Sequence, residues 1–373
     1  MKVLIISAGV GDGHDAAAKA LISTAPDQAS VVFLRLEEFM RPWQKRLFIN
    51  SYYYLTSCFK GSLWRIVYHY GQKKPGQVAF RSLLWFGHSA GASLCKRVLE
   101  INPDIIITTH FYTPVLLEKI KNPNFKLGVV VTDFNWYNLW FHPKVDHYFV
   151  PSSHIADCVT KKSSTPPKIT ITGIPVRPVF HEPASKKELR QKLGLPLEKP
   201  LVLLMTGGTG LVPAEKYLQA LTPYLKNWQL VIIAGRNQAL QKKLQTVVKN
   251  QNLQSVSVLG WTDQTADYIR AADLVITKPG GLTTSECLAA KAPLLLISPI
   301  PGHEEGNARY LEKLEVAIFP RKISEIGPEV EKILAGKNQL KVQEKPAATT
   351  LIWKTVIAQD QTSKNPGFDQ PKN

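Results

Sequence analysis

Ten short runs rich in Val, Ile and Leu, separated by longer stretches with helical spacing, constrain this chain more than any other feature. KVLIIS, VVFLRL, DIIITT, KLGVVVTD and HYFVPSS form a first series. PLVLLMTGG, QLVIIAGR, SVSVLGWT, DLVITKPGG and APLLLIS form a second, after residue 200. Runs that are apolar at nearly every position suit strands buried on both faces of a parallel sheet, each leading into a turn or helix. Two such series in 373 residues predict an α/β chain of two doubly wound, Rossmann-like domains, each large enough for its own core. The three prolines of GIPVRPVFHEP forbid a continuous helix and mark residues 173–183 as the linker. The expected domains are therefore 1–172 and 184–340. Residues 341–360, with TTLIWKTVIA, read as a C-terminal helix, and 361–373 as a disordered tail.

The formal charge of +17 and pI near 9.6 call for an anionic partner: nucleic acid, a phosphorylated substrate or an acidic membrane surface. Cys58, Cys95, Cys158 and Cys287 are scattered without a C-x-x-C pair, so neither a disulfide framework nor a structural metal site is suggested, and a reducing cytoplasm fits. The apolar run at the N-terminus is too short for a signal-peptide core. No stretch approaches the ~18 apolar residues of a spanning helix, so any contact with a membrane is from one side.

GVGDGHDAAAKAL follows the first run directly. Gly9, Gly11 and Gly13 alternate as G-x-G-x-G rather than the G-x-G-x-x-G of a dinucleotide site, although an acidic residue, Glu37, does close the second run. A plain strand-to-helix turn explains the glycines but not His14. An imidazole in the first helical turn at the C-terminal edge of a sheet is held neutral by the positive helix end, which makes His14 a candidate general base. TKPGGLTTSECLAA is the more specific signal. Lys278 and Pro279 end a strand, Gly280 and Gly281 admit a ligand close to the backbone, and a helix starting near Leu282 or Thr283 turns its N–H groups toward an anion. Glu286, about a turn inward, is placed to accept from a ribose diol.

These segments, with VTDFNWYNLWFHPKVDHYFVPS, ITGIPVRPVF and PIPGHEEGNARYL, resemble glycosyltransferase family 28, in its monogalactosyldiacylglycerol synthase and processive diacylglycerol glucosyltransferase branch. The resemblance covers roughly residues 1 to 320. It implies a GT-B fold of two facing domains, with the acceptor on the first and a UDP-sugar on the second. It also implies inversion without a metal or other cofactor, the UDP-sugar being a co-substrate. His14 would take the acceptor proton, with Asp133 in an undefined supporting role. Gly207 and Gly208 match a diphosphate loop, and Arg177 matches an arginine that faces the diphosphate. Arg236 and Lys278 add positive charge, Trp261 stands near the uracil position, and Gly280, Gly281, Thr283 and Glu286 belong to the donor helix. His303, Glu304 and Asn307 occupy the stretch that reads the sugar. His303 replaces the usual glutamine, which opens the choice between glucose and galactose, and Tyr137 stands where the block that holds Asp133 commonly has histidine. Residue by residue, plainer readings stand beside these: Trp261 as core, Asp133 as a turn former, Arg236 and Lys278 as surface cations.

From Met40 to Leu99 there is no Asp or Glu, while Lys45, Arg46 and Arg65 are interleaved with Trp43, Trp64, Tyr68 and Trp85. That mixture suits the headgroup boundary of an anionic membrane. The predicted function is transfer of a hexose from a UDP-sugar to diacylglycerol by a monotopic protein on the cytoplasmic face. Gly11, Gly13, Lys45, Arg46, Trp64 and Arg65 lie on the acceptor and membrane side, and anionic lipid is a candidate activator. The alternatives are N-acetylglucosamine transfer to an undecaprenyl-linked muramyl peptide, a UDP-sugar epimerase, a dehydrogenase and a basic nucleic-acid binder. No nucleic-acid motif is present, so nucleic acid is not the expected partner.

Overall fold

A strand that is apolar at every position needs cover on both faces, and the computed structural model of the chain supplies it. It describes residues 1–9, 12–46, 62–72, 88–163, 165–338, 340–342 and 346–364. These divide into two compact units. The first takes most of the chain up to Arg177 together with the residues from Pro346 onward, and the second begins at Pro178. Five helices position the chemistry. They are α1 (Asp12–Ser23) and α2 (Ser62–Gly71) in the first unit, α3 (Gly281–Ala289) and α4 (His303–Lys313) in the second, and α5 (Ala348–Lys364), which belongs to the first.

In the first unit β1 (Lys2–Ser7), β2 (Ser30–Arg35), β3 (Ile105–Thr108), β4 (Lys126–Val130), β5 (His147–Val150) and β6 (Lys168–Ile171) form one parallel sheet in the order β2-β1-β3-β4-β5-β6. The chain steps from β1 to β2 on one side and then crosses to β3 on the other, which opens a crevice at the C-terminal ends of β1 and β3. Side chains alternate between two buried layers. Leu4 and Ile6 pack with Leu94, Val98 and Tyr148, whereas Val3 and Ile5 pack with Ala18 and Leu21 of α1 and with Ile352, Trp353 and Val356 of α5. The ten apolar runs coincide with β1–β5 and with the five strands of the second unit. β6 is not among them: KITI alternates Lys and Thr with Ile, as an edge strand does, and four residues are too few for its period to register.

The second unit repeats the plan with β7 (Leu201–Met205), β8 (Gln229–Ile233), β9 (Val256–Leu259), β10 (Leu274–Thr277) and β11 (Leu294–Leu296) in the parallel order β11-β10-β7-β8-β9. Its crossing point lies between β7 and β10.

The C-terminal helix expected within residues 341–360 is α5, and it is part of the first unit's core: Trp353 is 3% exposed, and its Nε1–H donates to the Leu21 main-chain oxygen of α1 at 3.0 Å. It also runs to Lys364, into the stretch expected to be disordered, because no residue before Asn365-Pro366 disfavours helix strongly. Gln359 of α5 donates through Nε2 to His147 Nδ1 on β5, and His147 Nε2–H donates to Thr170 Oγ1 of β6 at 2.7 Å. Burial, with Lys168 adding and Asp146 opposing, lowers the His147 pKa to about 4. Since an unfolded histidine takes up its proton near pH 6.5, the stability supplied by neutral His147 is present above that value and drains away as pH falls toward 4. Urea titrations between these limits are expected to show a loss on the order of 2–3 kcal/mol, and His147→Asn should flatten that slope; an unchanged slope would assign it to other groups.

Candidate functional site

His14 stands at the crossing point of the first unit, and Gly207, Gly208, Lys278, Gly280 and Gly281 stand at that of the second, whereas Arg236 and Trp261 follow β8 and β9 and Arg177 follows β6. In the first unit His14 is the third residue of α1, and its Nδ1 lies 2.7 Å from the main-chain oxygen of Thr109, just past β3. A carbonyl only accepts, so Nδ1 carries a proton, and in the neutral ring the lone pair is then on Nε2. Thr132 Oγ1, from the loop after β4, lies 3.0 Å from the same Nδ1, and Thr109 Oγ1 donates to the His14 main-chain oxygen at 3.0 Å. His110 meets the His14 ring edge-on, with centroids 4.8 Å apart. Burial, reinforced by His14, holds His110 well below the ordinary histidine range, so the ring that meets His14 is neutral. The arrangement is a fixed tautomer with a basic nitrogen, the form a general base requires.

Glu37 bears on the dehydrogenase alternative. Both its carboxylate oxygens lie 3.1 Å from the Gly9 nitrogen, and a β-carbon on Gly9 would stand 2.4 Å from Oε1. The acid that a dinucleotide site would turn toward a ribose instead closes the glycine turn. Gly13 is the second residue of α1; Gly11 lies outside the described residues.

Past Thr132, Asp133 is half-buried and Tyr137 is 6% exposed, stacked on Tyr68 of α2 at 4.9 Å between centroids. Asn135 Nδ2 donates to Tyr68 Oη at 2.8 Å, and Tyr68 Oη donates to the Trp136 oxygen at 3.3 Å. Burial, with the Asp133 charge adding and Gln72 and Asn135 opposing, pushes Tyr68 up to about 12, so it stays a phenol. One face of α2 is thereby fastened to the loop that reaches His14. The other presents Arg65, Ile66 (66% exposed), His69 and Tyr70 (51% exposed) to solvent, and Lys45 and Arg46 are exposed as well. The side chain of Trp64 and the acid-free residues 47–61 and 73–87 lie outside the described ones.

In the second unit two glycine turns meet. After β7, Gly207 adopts φ +78°, and a β-carbon there would lie 3.1 Å from Lys278 Cε, so the lysine stem runs across this turn. Gly235, at φ +63°, lets the next turn close on Gly208: the Arg236 N–H donates to the Gly208 oxygen at 2.9 Å, and a β-carbon at Gly235 would lie 2.8 Å from that oxygen. After β10, Gly280 caps α3 without a side-chain cap, and Gly281 is its first residue. Thr284 and Ser285 bend back onto the Gly280 and Gly281 carbonyls at 2.8 and 2.7 Å, so the first N–H groups face outward under the positive end of the dipole. Thr283 is half-buried in that turn and Glu286 is 8% exposed one turn further in. Trp261 is 59% exposed with the Arg236 guanidinium 5.9 Å from its ring centroid, which excludes the core reading of this tryptophan. Arg177, the last residue of the first unit before Pro178, is exposed.

The HEEGN stretch forms the start of α4. His303 is half-buried, but Glu304 and Asn307, 2% and 0% exposed, turn inward. Glu304 pairs with Lys278 Nζ through Oε1 and accepts the Ile300 N–H through Oε2 at 2.8 Å, while Asn307 Nδ2 donates to the Pro279 oxygen at 3.0 Å. Burial alone would raise Glu304, but Lys278, His303 and the Ile300 N–H outweigh it and keep the carboxylate below its ordinary value. Among the described residues no group of three or more His, Cys, Asp or Glu stands where it could hold a metal ion.

Thr109, Thr132 and His110 were not singled out in the sequence. Their signal is positional: each follows a strand adjacent to the β1–β3 crossing point or one strand beyond it.

Residues 14–176 match the family model described as monogalactosyldiacylglycerol synthase, and residues 202–356 match the glycosyltransferase family 28 C-terminal domain. A processive diacylglycerol beta-glucosyltransferase of Bacillus pumilus (strain SAFR-032) is 30% identical over 349 residues, covering 91% of this chain and 88% of that one. The protein of the same name from Bacillus cereus (strain G9842) is 31% identical over 336 residues, covering 89% and 85%. Among solved structures, Acinetobacter baumannii MurG superposes with a TM-score of 0.59 at 15% identity, covering 96% of this chain and 99% of its own. A Neisseria meningitidis UDP-GlcNAc 2-epimerase bound to UDP-GlcNAc superposes with a TM-score of 0.61 at 13% identity, covering 96% and 100%. The fold is thus GT-B, and the chain belongs to the monogalactosyldiacylglycerol synthase and processive diacylglycerol glucosyltransferase family.

Proposed function

We propose that the protein transfers glucose from UDP-glucose to the hydroxyl of diacylglycerol, with inversion, at the cytoplasmic surface of a membrane. The observation that carries this reading is His14, whose Nδ1–H is committed to a main-chain carbonyl at the β1–β3 crossing point. Its Nε2 takes the proton of the lipid hydroxyl as that oxygen bonds to the anomeric carbon. The bond from the same carbon to the β-phosphate oxygen breaks, and UDP leaves with the electron pair. Negative charge then grows on the diphosphate, opposed by Lys278, Arg177, Arg236 and the N–H groups at the start of α3. Glu286 is the ribose acceptor, Trp261 borders the base, and His303 is the residue of α4 that meets the sugar. The choice of glucose and a β-linked product follows the names of the relatives; a β-glucoside made from an α-linked donor requires inversion.

Product analysis tests the proposal. Purified protein is incubated with anionic vesicles containing diacylglycerol and, separately, UDP-glucose, UDP-galactose or UDP-N-acetylglucosamine. A glucosyldiacylglycerol formed from UDP-glucose is expected; lipid product from UDP-galactose alone would correct the sugar, and none from any donor would remove diacylglycerol as acceptor.

The membrane side of the proposal rests on α2. Ile66 and Tyr70 repeat at i, i+4 beside Arg65 and His69, an apolar stripe flanked by a basic one. No described helix is long and apolar enough to cross a membrane. Each cation near an anionic surface contributes ~1 kcal/mol. Reversing Lys45, Arg46 and Arg65 to Glu is therefore expected to lower affinity for phosphatidylglycerol vesicles by at least about 100-fold, the loss that removing three cations alone would give, measured by sedimentation. Undiminished binding would move the membrane face elsewhere.

A further inference from the structure

Residues Glu304 and Asn307 lie on one face of α4, three apart, and that face turns toward the strand-end turn Lys278-Pro279-Gly280. Neither residue meets solvent appreciably. A side chain that reads sugar hydroxyls needs polar atoms open to the donor, whereas both Glu304 oxygens are engaged, one by Lys278 Nζ and the other by the Ile300 N–H. The lysine is placed differently. Its stem passes within 3.1 Å of where a Gly207 β-carbon would stand, and its ammonium lies 3.7 Å from where a Gly280 β-carbon would stand. It therefore sits between the two glycine turns of the β7–β10 crossing point, and its side chain retains 22% exposure.

We infer that Glu304 is a positioning residue: it does not bind the sugar but fixes the Lys278 ammonium between the two glycine turns, where the lysine meets the diphosphate of the nucleotide. This rests on the reading of the second unit as a UDP-sugar site. A flexible lysine must give up rotamer freedom each time it engages phosphate, and a buried carboxylate that has already ordered it removes that cost at binding. Asn307 supports the same turn through the Pro279 carbonyl. The division of labour within HEEGN follows: Glu304 and Asn307 brace the turn from behind, and His303 remains to meet the hexose.

Calorimetric titration of wild type and Glu304→Gln with uridine, UDP and UDP-glucose separates the possibilities. Glutamine keeps the size but offers one acceptor to two donors, so Lys278 or Ile300 loses its partner. The variant is expected to bind uridine as wild type does and to lose about tenfold for UDP and UDP-glucose alike, the scale of one charge-assisted hydrogen bond. Lys278→Met should show the same pattern, and the double variant should lose no more than Lys278→Met alone. Loss for UDP-glucose with UDP affinity intact would return Glu304 to the sugar and overturn the inference while leaving the nucleotide site standing. Parallel loss for uridine would make the residue merely structural. A wild-type protein that binds no UDP would remove the nucleotide reading and this inference with it.

Discussion

Replacing His14 by alanine is expected to slow glycosyl transfer by about 10²–10⁴-fold, the usual contribution of a positioned general base, while UDP affinity stays at the wild-type value. The separation follows from where the groups sit. His14 is held by Thr109 and Thr132, both in the first unit, whereas the glycine turns and α3 belong to the second. Single-turnover rates with UDP-glucose and diacylglycerol vesicles, beside calorimetric titration of UDP, make the comparison. Equal losses in rate, UDP affinity and thermal stability would mark His14 as a structural residue. The tautomer argument adds a finer expectation. The Thr109 carbonyl alone suffices to keep the proton on Nδ1, so Thr132→Val should leave most of the activity in place.

The second large effect concerns stability. Trp353→Ala is expected to destabilise the first unit by about 3–5 kcal/mol, the range for truncating a fully buried aromatic; the Leu21 carbonyl keeps the Thr24 N–H and hydroxyl as donors, so the loss is one of packing. Against a typical domain stability of about 5–15 kcal/mol, the variant would be close to unfolding. Because the chain has two units, the transition should be followed with probes specific to each rather than as one event. Urea unfolding read by UDP binding should change little, while a probe in the first unit shifts to much lower urea. A shift below about 1 kcal/mol would show that the Val3–Ile5 layer can close without the tryptophan.

The alternation of apolar runs made both sheets legible, because strands covered on both faces leave continuous hydrophobic words such as KVLII and LVIT. β6 was not legible, since it lies at the edge of its sheet and its residues alternate. For the site, the glycine turns and His14 could be read because a strand-to-helix turn at a sheet edge imposes small residues and leaves a polar one unexplained. The partners of His14 could not, since Thr109 and Thr132 reach it only through parallel pairing of β1 with β3 and of β3 with β4. The Glu304–Lys278 contact was hidden for the opposite reason. The motif places Glu304 near the donor, but which face of α4 turns inward is a matter of packing, and packing sent its carboxylate to Lys278. Trp261 shows how weak a single-residue prior is: a large aromatic in an apolar context is commonly core, and here it is exposed beneath an arginine.

The return of α5 to the first unit also sets an order of events during synthesis. The indole of Trp353 completes a layer begun by Leu21, 332 residues earlier. At about 5–20 residues per second the ribosome takes on the order of tens of seconds to span that interval. The second unit leaves the exit tunnel with all of its strands before the first can close over Val3 and Ile5. A fragment ending at Arg177 would carry every strand of the first sheet and still lack one wall of its core, so the first unit becomes a finished object only once α5 has been made.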